Sequence, residues 1–108
     1  MQTRTSGTGP RVALIGGGLT GWLSWEPHAE RLAAARSVAL LQLLSVQYGL
    51  EDRPLPDGCG VRLESRALAG ALDALGWHDP VDLVAWSYGA LVTLDFALTT
   101  PAACARSR

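Results

Sequence analysis

The chain has 108 residues, nine basic and ten acidic side chains, and a net charge of -1. Hydrophobic residues make up 48% and charged residues 18%, a globular composition with room for one small domain. There is no basic block to bind nucleic acid or an anionic membrane surface. The apolar stretches are interrupted by Gln42, Ser45 or Asp95, so none suits a bilayer-spanning helix.

The opening residues, Met1-Gln2-Thr3-Arg4 followed by Ser, Gly, Thr and Pro, contain no apolar core of a signal peptide. Cys59 and Cys104 form no C-x-x-C pair and have no histidine at ligand spacing. They read as two free thiols in a reducing compartment, with no metal and no cofactor implied. The expected location is cytoplasmic.

Residues 1–11 are polar and glycine-rich and predict a flexible lead-in. Val12-Ala13-Leu14-Ile15 is continuously apolar and stops at Gly16-Gly17-Gly18, as a buried strand entering a tight loop does. From Glu26 the pattern is helical, with Pro27 suited to the first turn and Trp25, Ala29, Leu32 and Arg36 near one face. Residues 38–44 form a second apolar run, expected as a strand buried on both faces. Residues 48–60 read as a loop. Val61 to Leu75 is helical again, with Leu68, Ala71, Leu72 and Leu75 on one stripe and Gly76 placed to end the helix. Asp79-Pro80 predicts a turn, residues 81–86 a third strand, and Tyr88 to Leu98 a helix stopped by Pro101. Strand and helix alternate, which argues for about three parallel strands covered by helices. The domain is expected over residues 12–101, with an irregular tail over 102–108.

The sharpest motif is Ala85-Trp86-Ser87-Tyr88-Gly89, at a strand-to-helix junction. A turn this tight needs small residues two before and two after the serine. Gly89 supplies one, and Ala85 stands where G-x-S-x-G has its first glycine. Such a nucleophile elbow lifts the Ser87 hydroxyl above the sheet and sets the Tyr88 backbone N–H beside it as an oxyanion donor. The bland alternative is a serine capping an ordinary helix.

A second motif, Gly16-Gly17-Gly18-Leu19-Thr20-Gly21-Trp22, follows the first strand. Together these segments resemble the α/β-hydrolase family, whose first loop carries His-Gly-x. The match puts Gly16 in the histidine's place and makes the Gly18 N–H the other half of the oxyanion hole. Trp22 and Trp25 resemble the aromatic positions opening the family's first helix, and residues 49–54 resemble the loop after its next strand. The resemblance spans about residues 8–100 and implies a truncated three-layer α/β sandwich.

Gly16, Gly18 and Gly21 also satisfy G-x-G-x-x-G, the dinucleotide-binding fingerprint. That reading needs an acidic residue at the tip of the second strand, where this chain has Gln42 to Ser45. His28 and His78 both precede Ser87, whereas the resemblance puts the acid and histidine after the serine. Both read as exposed histidines without a catalytic partner, and Asp95 reads as structural or solvated.

The resemblance therefore implies an N-terminal fragment of a serine hydrolase acting on ester or thioester acyl substrates, inactive alone for want of its acid and histidine. The alternatives are a non-catalytic product or a partner-binding piece, and further off a dinucleotide-binding domain. Residues 90–98 are apolar around nearly the whole helix. Leaving a few such side chains uncovered costs roughly 3–6 kcal/mol, against roughly 5–15 kcal/mol of stability in a domain. Self-association through apolar surface is expected.

Overall fold

The computed structural model describes residues 1–78, 81–99 and 104–107. Its centre is β2 (Arg11–Ile15), whose residues after Arg11 are all buried. It pairs in parallel with β3 (Ser37–Gln42) on one side and with β4 (Val81–Ala85) on the other. β1 (Gln2–Ser6) adds antiparallel to β3, and β5 (Cys104–Ser107) adds parallel to β4. The strand order is β1-β3-β2-β4-β5.

Alternation along the central strands splits the core in two. Val12, Leu14, Val38 and Leu40 face one side and pack on Trp22 and Ala29. These belong to a short 3₁₀ turn (Trp22–Trp25) and to α1 (Glu26–Leu32). Ala13, Ile15, Ala39 and Leu41 face the other side. There they meet α3 (Val61–Ala74) and α4 (Tyr88–Thr99), through Leu68, Ala71, Leu72, Val92 and Phe96. This is the expected three-layer sandwich.

α3 ends as its sequence predicts. Gly76 takes φ +73° and donates its N–H to the Asp73 carbonyl at 2.9 Å, while Trp77 N–H reaches Leu72 O at 2.9 Å. Buried Trp77 then packs into the cluster that holds Leu72, completing a left-handed helix stop.

Several segments depart from expectation. Residues 2–6, expected as flexible lead-in, form β1, a polar edge strand held by backbone pairing rather than by apolar side chains. In the tail expected to be irregular, Cys104–Ser107 pairs with β4, whose unpaired backbone groups offer a docking edge. Among the described residues β5 joins the three expected parallel strands, and β1 adds an antiparallel one. The run expected as a strand over 38–44 turns at Leu43, and α2 (Leu44–Leu50) occupies the start of the expected loop. Arg36 lies beyond the end of α1. It bonds to Pro10 O and Arg11 O and pairs with Asp82 at 2.9 Å, tying the starts of β2 and β4 together. The expected turn at Asp79-Pro80 and the helix stop at Pro101 lie outside the described residues.

Candidate functional site

Ser87 sits between β4 and α4. The sheet ladder runs one residue past β4, with Trp86 N–H donating to Ile15 O at 3.3 Å. The chain then reverses at Ser87, which adopts φ +55°. Only Ser87 and Asp52 among the described non-glycine residues have positive φ. For a residue with a β-carbon this left-handed conformation is uncommon and costs of order 1–3 kcal/mol. Gly89 N–H returns to Trp86 O at 3.0 Å, Ala90 N–H reaches Ser87 O at 2.9 Å, and α4 begins. The strained serine is exposed.

Two glycines let this turn close against the loop after β2. A β-carbon on Gly89 would collide with the Gly16 carbonyl oxygen. One on Gly17 would lie 2.7 Å from Trp86 Cδ1 and 3.4 Å from Ser87 Cβ. The requirement for a small residue after the serine is therefore met by contact with the glycine loop itself. At Gly18 a β-carbon would stand 3.8 Å from Tyr88 Cβ, so Gly18 and Tyr88 face one another beside Ser87. Ala85 ends β4, half-buried. Gly16 has its own constraint, because a β-carbon there would strike the backbone of Gly21. Gly17 and Gly21 are bridged by Gly21 N–H to Gly17 O at 3.2 Å, a closure that leaves no room for a side chain at position 16.

Two buried polar side chains hold the ends of neighbouring elements. Gln42 Oε1 accepts the Trp22 N–H at 2.9 Å. Glu64 accepts the Leu44 and Ser45 N–H groups at 2.7 and 3.0 Å. α2 has no capping side chain of its own, so a carboxylate from α3 does that work, where the helix dipole favours a negative group. Neither role is visible in the sequence, since each partner lies about 20 residues away. Burial, with Glu64 and Cys59 nearby, pushes the Tyr88 phenol above its ordinary value.

The histidines stand apart from Ser87's hydrogen bonds. His78 lies 3.5 Å from Asp73 at the far end of α3. His28 lines a cleft of about 200 Å³ with Ser24, Trp25 and Trp86. Asp95 pairs with Arg62 at 3.1 Å across α3 and α4, as a structural residue. Among the described residues no group of His, Cys, Asp or Glu could hold a metal ion, and no helix is long and apolar enough to cross a membrane.

No protein-family model matches the chain. A 2-hydroxy-6-oxo-2,4-heptadienoate hydrolase of Pseudomonas putida is 37% identical over 98 residues, which is 88% of this chain and 34% of that protein. Among solved structures, a Pseudomonas aeruginosa protein provisionally assigned as an epoxide hydrolase superposes with a TM-score of 0.81 at 27% identity. That match covers 97% of this chain and 35% of the other. An α/β-hydrolase enzyme from a lagoon-sediment metagenome gives 0.78 at 20% identity, covering 97% of this chain and 45% of its own. The chain spans about a third of the length of the first two proteins. Its sheet order, its layers and these likenesses together give the chain an α/β-hydrolase-like fold.

Proposed function

We propose that this chain is the nucleophile-bearing part of a serine hydrolase, with Ser87 as nucleophile in an elbow formed by Ala85, Trp86 and Gly89. The observation that carries this reading is Ser87's positive φ at the β4–α4 junction, closed against the Gly16–Gly18 loop. Backbone strain of this kind on a non-glycine residue clusters at functional sites. The Gly18 and Tyr88 N–H groups stand as oxyanion donors, supported by the approach of these two residues.

The substrate is a carbonyl compound, with an ester or thioester as the natural class. The Pseudomonas putida relative is named for a substrate that carries a 6-oxo group, also a carbon open to attack by a serine. Serine in place of an elbow aspartate argues against epoxide opening, although some structural neighbours are named for that reaction.

A triad base must accept the serine proton. No hydrogen bond joins Ser87 to a histidine among the described residues, which supports the reading that the 108 residues alone turn over an ester only negligibly. Losing a triad histidine costs about 10⁶-fold in kcat. The test is cleavage of p-nitrophenyl butyrate by the chain and by Ser87→Ala, with and without added imidazole as a surrogate base. The expected result is negligible turnover, and an imidazole-dependent acyl adduct mapped to Ser87 by mass spectrometry. An adduct elsewhere, or one unchanged in Ser87→Ala, removes the nucleophile assignment.

A further inference from the structure

Trp86 is 59% exposed, a large aromatic surface beside Ser87 that packing among the described residues covers only in part. It is nevertheless held in place. Its backbone N–H bonds to the Ile15 carbonyl at 3.3 Å, and its ring rests on the bare Cα of Gly17. The same Ile15 carbonyl accepts the Trp25 indole N–H at 3.0 Å. One carbonyl oxygen thus anchors both tryptophans of the cleft that His28 and Ser24 complete. His28 meets Trp25 edge to face, with centroids 5.6 Å apart and planes at 68°.

These walls are mostly aromatic, with Ser24 and His28 adding polar groups. Ser24 donates its proton to Gly21 O at 3.1 Å, which leaves its oxygen able to accept. Trp25's polar edge is occupied by Ile15, so this residue offers the cleft π surface rather than a donor. Among the described residues no carboxylate lines the space, so a cation would gain cation–π contact but no ion pair there. A neutral flat ring gains stacking and edge contacts on more than one wall. At about 200 Å³ the space suits one ring, not a fused system, being smaller than the roughly 300–1,000 Å³ of a drug-sized site.

We propose that the Ser24–Trp25–His28–Trp86 cleft is a binding subsite for a single neutral aromatic ring carrying a hydroxyl, of the phenol class, adjacent to Ser87. Such a ring stacks against Trp86 and Trp25 and donates its hydroxyl proton to Ser24 Oγ. The subsite does not require Ser87 to be a nucleophile, so the two readings stand or fall separately.

The experiment is a titration of the full chain with phenol, followed by the indole N–H and His28 ring signals in NMR spectra. Cyclohexanol and tetramethylammonium serve as non-aromatic and cationic controls. The expected result is saturation at low-millimolar phenol, with shifts confined to Trp25, Trp86 and His28. Trp86→Ala, at an exposed position that does not threaten folding, weakens binding about threefold to tenfold, the equivalent of one aromatic contact. Ser87→Ala leaves binding unchanged whatever its effect on acylation. Cyclohexanol binding as tightly as phenol overturns the aromatic assignment, and preference for tetramethylammonium overturns the choice of a neutral ring. Shifts at Trp22 or Trp77, or undiminished affinity in Trp86→Ala, place the ligand elsewhere. Absence of saturable binding overturns the proposal outright.

Discussion

The Cα of Gly89 rests against the carbonyl oxygen of Gly16, so that the first turn of α4 and the loop after β2 are in backbone contact with no side chain between them. Gly89→Ala forces these segments apart. Overpacking of this kind costs about 1–3 kcal/mol, visible as a lower urea midpoint. The same change moves Ser87 away from Gly18, and the imidazole-dependent acylation of Ser87 falls with it.

Glu64 supplies both of its carboxylate oxygens to the start of α2. Glu64→Ala leaves the Leu44 and Ser45 N–H groups without that acceptor, at a cost of about 1–3 kcal/mol. Hydrogen exchange at these two amides accelerates more than exchange in α4. Glu64→Gln retains one oxygen acceptor and gives an intermediate effect.

Asp95 is held below the usual carboxylate range, first by a hydrogen bond from Ser65 and then by the Arg62 guanidinium. A depressed carboxylate contributes stability that is present above its unfolded pKa and is lost as pH falls through the lower folded value. Asp95→Asn therefore destabilises the chain at neutral pH and has progressively less effect below the ordinary carboxylate range. Thermal melts of both forms from neutral to strongly acidic pH check the convergence.

Leu91, Leu94 and Leu98 lie on the outer side of α4 with exposures of 56%, 54% and 74%. Contiguous apolar surface of this kind drives association. The chain is expected to self-associate in a concentration-dependent way, and Leu91→Glu with Leu94→Lys shifts it toward monomer in sedimentation velocity. An unchanged distribution removes α4 as the associating surface.

Gln42, at the tip where a dinucleotide fold places its ribose-binding acid, is spent on the Trp22 N–H. Calorimetry with NAD or NADP is expected to show no saturable heat at millimolar nucleotide. Micromolar binding weakened by Gly18→Val contradicts this.

The Ser87 turn and the glycine loop are legible in the sequence because each depends on local backbone demands that only small residues satisfy. Gly76 is legible for the same reason, as the left-handed stop of α3. The three inner strands are legible as short apolar runs separated by helical patterns. α2 is not legible, since its cap belongs to another helix and Leu43-Leu44 continues an apolar run that reads as strand. β1 and β5 escape detection because main-chain pairing, not hydrophobic patterning, recruits them. The cleft beside Trp86 is hidden for a different reason: its walls come from residues 24–28 and 86, brought together only by the sheet.

The placement of β2 has a consequence for how the molecule is made. The central strand is also among the first elements in the chain, and β3 and then β4 each add to one of its two edges. No later segment has to insert between strands already paired. A chain emerging from the ribosome with its N-terminal part first can therefore lay down this sheet outward from its middle, each strand meeting an edge that earlier residues have built. Ser87 comes to lie beside the glycine loop only when β4 docks, so the candidate site forms as a product of assembly order and cannot precede it.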